Sequence, residues 1–177
     1  VLQKLPIKGV YIMSLARITE ILERGEDIEN CKGKVFNYNY RNTLAISGQI
    51  DFAILTPSQK TRFLPVQIQC DKECQIDFYM DATITAETGT NILTSIGCLN
   101  QYNPRTTKIS DARINPTITD LGTHVYPDWI YASQFTAGQT IEGLQWFLKP
   151  ESWYVCRIIN QDSQAGTLKV NMFWIEC

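Results

Sequence analysis

From about Lys34 onward, apolar and polar residues alternate along the chain with a period of two. The segments VFNYNY, TLAISGQIDFAIL, FLPVQIQC, CQIDFYMDATITA, ARINPTITDL, HVYPDWIYASQF, WFLK, WYVCRII and TLKVNMFWIE are rich in β-branched and aromatic residues, and each reads as a strand. In the fourth, Ile76, Phe78, Met80, Ala82 and Ile84 fall on one face, with Asp77, Tyr79, Asp81 and Thr83 on the other. In the last, Leu168, Val170, Met172 and Trp174 oppose Lys169, Asn171, Phe173 and Ile175. Its end is apolar on both faces, which suits burial between sheets or at a subunit contact. Turn signals such as Ser47-Gly48, Asn115-Pro116, Leu121-Gly122, Lys149-Pro150 and Ala165-Gly166 separate the runs. Roughly eight to ten short strands with no helical crossovers between them predict an all-β fold, an antiparallel β-sandwich of jelly-roll type spanning 34–177.

Before Lys34 the period changes. In YIMSLARITEILERGEDIE, Ile12, Leu15, Ile18, Ile21 and Leu22 recur at helical spacing, charges lie mostly opposite, and Gly25 supplies a stop. The expectation for 1–33 is a short N-terminal arm with an amphipathic helix of about three turns. Its apolar stripe would dock on a neighbouring subunit or cover one end of its own β domain. Periodicity does not choose between them.

Composition narrows the function classes. The chain has 177 residues and is 44% hydrophobic, enough for one domain with its own core. A net charge of −2 with scattered basic residues gives no electrostatic reason to expect nucleic acid. No apolar run is long enough for a transmembrane helix, so no membrane partner is expected. Charged residues are sparse at 19%, a trait of surfaces that hide against neighbours.

Candidate chemistry is thin. The six cysteines are irregularly spaced, and only Cys70 and Cys74, in CDKEC, lie close together. With one histidine in the chain, a zinc site lacks ligands, and free thiols packing as small apolar groups are expected. That histidine, His124, has no nucleophile elbow or activated-cysteine context beside it. Asp77 and Asp81 on one strand face would stand about 13 Å apart, too far for a glycosidase pair, so a solvated sheet face is expected. Asp71, Glu73 and Asp77 lack the loop pattern of a calcium site, and phosphate-binding glycine motifs are absent. No cofactor, metal or catalytic residue is therefore expected. Aromatics cluster at Tyr126, Trp129, Tyr131 and Phe135, and again at Trp146, Phe147, Trp153 and Tyr154. Exposed, the first cluster would stack on sugars; hidden, it would serve core and subunit contact, as large rings mostly do.

The order of features over about the C-terminal 100 residues carries a resemblance. DATITAETGTNILTSIGCLNQ is followed by INPTITDLGTHVY and then by EGLQWFLKPESWYVCRIINQDSQAGTLKVNMFWIEC. The close runs through Leu148-Lys149-Pro150, Trp153-Tyr154, Arg157, Asn160 and Trp174-Ile175-Glu176, expected as an antiparallel hairpin with a polar turn at 160–166. This succession resembles β-rich virion proteins of tailed bacteriophages, of the capsid decoration and head-fibre type. The resemblance implies a non-enzymatic jelly-roll module in the virion, assembled in the host cytoplasm. It implies a homotrimer bound to the major capsid protein or another virion protein. The decoration (cement) role would place the N-terminal arm on the capsid. The alternative is a tail or fibre module recognising host glycans through the Tyr126–Phe135 aromatics.

Overall fold

The computed structural model describes residues 34–64, 66–99, 105–130, 139–140 and 146–176, with backbone only at 126, 128–130, 139, 140 and 146. These residues fall within one unit, Gly33–Cys177. The helical arm expected in 1–33 lies outside them.

The alternating runs form strands that pair in antiparallel fashion throughout. The first five are β1 (Val35–Leu44), β2 (Gln49–Leu55), β3 (Thr61–Phe63), β4 (Gln67–Cys70) and β5 (Cys74–Met80). Short pieces follow at β6 (Thr83–Ile84), β7 (Thr90–Asn91), β8 (Gly97–Cys98), β9 (Asp111–Ile114) and β10 (Ile118–Asp120). The chain closes through β11 (Thr123–Ile130), β12 (Gln139–Thr140), β13 (Trp146–Leu148), β14 (Trp153–Asn160) and β15 (Gly166–Glu176). One sheet runs β12-β4-β15-β1-β8, with β3 beside the end of β15 and β13 beside β3. The other runs β11-β5-β14-β2-β9-β7, and β6 and β10 make a separate ribbon. The fold is all-β, and its two large sheets face each other across a shared apolar core.

The core follows from the alternation. Along β15, Leu168, Val170, Met172 and Trp174 are all buried, and Ile175 and Glu176 add burial on both faces at the end. Trp174 stacks between Phe36 and Phe63, with ring centroids 6.0 and 5.9 Å away. The three lie opposite one another on β1, β15 and β3, so register builds an aromatic ladder across the first sheet. The Trp174 indole donates to the buried Glu176 carboxylate at 3.0 Å, and Thr107 and the Lys108 amide donate to it as well. That carboxylate pins the 105–110 segment onto the sheet.

FLPVQIQC divides between β3 and β4 and ARINPTITDL between β9 and β10, and three further expectations need correction. TLAISGQIDFAIL is not one strand: it turns at Ala45–Gly48, where the Gly48 amide bonds the Ala45 carbonyl, and passes from the first sheet to the second. CQIDFYMDATITA also breaks, because Asp81 adopts φ 60° and ends β5. There Gly122 (φ +71°) closes over the strand end so tightly that a Cβ would stand 2.3 Å from the Met80 carbonyl oxygen. Ala82 consequently packs with Ala53 and Val155 on the outer side of the second sheet, away from Ile76 and Phe78. Finally, β14 and β15 are not a hairpin. Both edges of β14 are taken by β2 and β5, so the chain crosses at 161–165 to pair as β15 in the other sheet.

Candidate functional site

The outer face of the second sheet concentrates the charged side chains. Residues 50, 52 and 54 of β2 point into the core, so Asp51 and Ala53 point out, and the same phase places Val155 and Arg157 of β14 and Asp77 and Tyr79 of β5 beside them. Register sets Arg157 opposite Asp51 on one side and opposite Asp77 on the other. Arg157 grips Asp51 with two bonds, Nε to Oδ1 at 2.8 Å and Nη2 to Oδ2 at 3.0 Å. Gln49 donates to Asp51 Oδ2 at 2.8 Å, and the Asp51 amide donates to Asn115 Oδ1 at 2.9 Å. On the other flank Gln75 donates to Asp77 Oδ2 at 2.8 Å, and His124 Nε2 lies 3.0 Å from Asp77 Oδ1. Gln161 in turn donates to Gln75. The His124 ring sits 4.9 Å from that of Tyr79.

Burial decides how this row behaves. The Asp51 and Asp77 side chains are only 7% and 5% exposed, whereas His124 is 44% exposed. Carboxylates that deep need hydrogen-bond partners, and both have them: Asp51 from Arg157 and Gln49, and Asp77 from Gln75 with His124 Nε2 alongside. The hydrogen bonds that Arg157 donates to Asp51 raise its guanidinium above its ordinary value, against the opposing effect of burial. Burial, reinforced by the nearby Asp77 charge, raises Tyr79 and keeps its phenol protonated at neutral pH. One strand further on, Arg113 repeats the arrangement, donating to Asp111 at 2.7 Å and to Glu87 and the Thr88 carbonyl at 3.2 Å each.

The row therefore corrects the solvated face expected for Asp77 and Asp81. Asp77 is interior and committed to partners, while Asp81 lies past the strand end and pairs with Lys149 at 2.9 Å. Asp71 accepts from the Thr167 amide at 2.7 Å. His124 is a strand residue hydrogen-bonded to Asp77 and packed beside the Tyr79 ring, and neither of these two partners is an aliphatic hydroxyl or a thiol. A cavity of about 40 Å³ also lies between the sheets, but Phe52, Ile54, Phe63, Phe78, Leu148 and Met172 line it, and such a surface offers little to orient a polar substrate.

Of the other residues singled out from the sequence, Tyr126 and Trp129 lie on β11, with only their backbone described. Tyr131 and Phe135 lie outside the described residues, as do Ile12, Leu15, Ile18, Ile21 and Leu22. Among the second aromatic group, Phe147 is 66% exposed with the Arg62 guanidinium 5.3 Å over its ring. The sequence reading missed Asp51, Arg113 and the interior role of Arg157. Their signal was available: a single charge inside an apolar strand run, as in QIDFAIL and WYVCRII, must be buried and so must be paired. The chain matches no protein-family model, no curated protein and no solved structure.

Proposed function

We propose that this chain is a structural protein of a tailed-phage virion, a capsid decoration module with a jelly-roll fold and no catalytic role. The observation that carries the reading is the strand order. Taken from matching edges, the central sheets run β12-β4-β15-β1 and β11-β5-β14-β2. Consecutive strands thus occupy equivalent places in the two sheets, which supports a jelly-roll winding, a hairpin folded over a sandwich. The polar row supports the same reading. Its charged and polar groups are committed to one another, Arg157 to Asp51 and His124 to Asp77.

In this scheme three copies associate, and the arm residues Ile12, Leu15, Ile18, Ile21 and Leu22 lie along the major capsid protein. Apolar burial across those contacts supplies the stability. Light scattering of the purified chain should return three times the chain mass. Added to capsids lacking it, the full chain should saturate many sites spread over the head, and replacing the five arm residues by serine should abolish that binding. Few copies confined to the tail, or binding to a glycan array, would instead establish the receptor-binding role.

A further inference from the structure

The CDKEC segment takes no part in the polar row. Cys70 ends β4 and Cys74 begins β5, so three residues carry the chain from one sheet to the other. Cys70 stands opposite Leu168 in the first sheet, and Cys74 opposite Asn160 in the second. Both thiols are free and buried in the same core cluster, their residues 4% and 0% exposed. Each thiol is also the largest influence on the titration of the other. The neighbouring crossover clasps the turn. Thr167 donates to Asp71, Lys72 donates to Gln164 at 2.7 Å, and the Gln161 amide donates to the Glu73 carbonyl at 2.9 Å.

We propose that Cys70 and Cys74 are a redox-active dithiol that closes to an intramolecular disulfide when oxidised by a peroxide, stapling the two sheets at this end. The inference is independent of the virion role. In the first step the Cys70 thiolate attacks one peroxide oxygen. The O–O bond breaks, the departing hydroxide takes a proton from solvent to become water, and Cys70 becomes a sulfenic acid. The Cys74 sulfur then attacks the Cys70 sulfur, the S–O bond breaks, and the Cys74 proton departs with the hydroxyl as a second water. Two electrons pass from the thiol pair to the peroxide.

The surroundings favour this order. The neighbouring Cys74 lowers the Cys70 thiol despite its burial, which favours the thiolate there. Cys70 and burial together raise Cys74 and keep it protonated, ready to release its proton in the second step. Cys156 offers the contrast within the chain: burial pushes its thiol up, which makes it a poor nucleophile. In this scheme the peroxide enters at the turn, where Asp71 is exposed and Lys72 and Glu73 are half-buried.

The test uses the full reduced chain, treated with a few equivalents of hydrogen peroxide, then denatured, alkylated with iodoacetamide and mapped by peptide mass spectrometry. Cys70 and Cys74 should lose alkylation together. The peptide spanning them should be two hydrogens lighter, dithiothreitol should restore both, and Cys156 should stay alkylated. In Cys74→Ser, oxidation should stop at a sulfenic acid on Cys70 that dimedone captures. The wild-type measurement decides alone if that variant does not fold. Cys70 and Cys74 still fully alkylated, Cys156 oxidised as fast as they are, or the pair closing equally fast in urea would each overturn the proposal.

Discussion

Two three-residue ladders cross the molecule, one in each sheet, built on the same geometry from opposite chemistry. In the first sheet Phe36, Trp174 and Phe63 stand opposite one another on adjacent strands. In the second, Asp51, Arg157 and Asp77 do the same. The aromatic ladder faces the core and gains from burial without strict direction. The ionic ladder faces outward and is held by bonds whose donors and acceptors must match. Burying charge costs free energy that pairing roughly offsets, so the second ladder contributes specificity of register more than net stability. The first should therefore tolerate apolar exchange and fail on truncation. The second should fail when one partner is removed and recover when a pair is removed together.

Trp174→Ala strikes hardest. The ring is fully buried and stacked on both sides, and its loss should cost about 3–5 kcal/mol in transfer and cavity terms. It also removes the indole donor from Glu176, so the 105–110 segment should exchange amide hydrogens faster. Urea unfolding measures the first effect and hydrogen exchange the second. A loss below 1 kcal/mol would mean that the aromatic ladder is not what holds the sheet.

Arg157→Met separates the two ladders most directly. It leaves Asp51 and Asp77 buried without the cation between them, and the expected loss is about 3 kcal/mol. Adding Asp51→Leu should restore part of that stability, since Asp77 retains Gln75 and His124. The double variant should unfold at higher urea than Arg157→Met alone. Additive losses in this cycle would show that the residues are not coupled.

These ladders also mark how far the chain can be read from its sequence. Alternation exposed the strands because each has one face in the core, and it exposed the double burial at the end of β15. It did not show which strands pair. Arg157 and Asp51 are 106 residues apart, and nothing local to either names the other. The same limit explains the hairpin that is not one. A short polar link at 161–165 suits a hairpin or a crossover equally, and what decides is that β2 and β5 already occupy both edges of β14. Asp77 was read as solvated for a related reason. Its shielding comes from partners on β5 and β11, and only β5 is local in sequence.

Asn160 holds the crossover to the body and should rank third. Fully buried, it donates through Nδ2 to the carbonyls of Ala45 at 2.9 Å and Gln164 at 2.8 Å, and its Oδ1 accepts from the Asp162 amide at 2.9 Å. Asn160→Ala removes all three of these bonds at once, at a cost of about 2 kcal/mol. The melting temperature should fall, with faster exchange at 45–48 and 161–165 and little change along the aromatic ladder. Faster exchange spread evenly over both sheets would show that the crossover is no separate unit.

The smallest effect belongs to the Asp81–Lys149 pair, where the same charges meet at the surface. Asp81 sits at the positive-φ end of β5, with Lys149 Nζ 2.9 Å away and both side chains well exposed. The bond from Lys149, then that from Ser152, holds its carboxyl below the ordinary 3.8. A carboxyl with a depressed pKa adds stability that is present above its unfolded value and lost as pH falls through the folded one. Its contribution is therefore complete at neutral pH and disappears only below about pH 4. Solvent and salt screen an exposed pair, so Asp81→Asn should shift the neutral-pH urea midpoint barely beyond error. The difference between variant and wild type should vanish in strong acid, whereas Arg157→Met remains destabilised at neutral pH even in high salt. If Asp81→Asn matched Arg157→Met in size, burial would not be what distinguishes the two ion pairs.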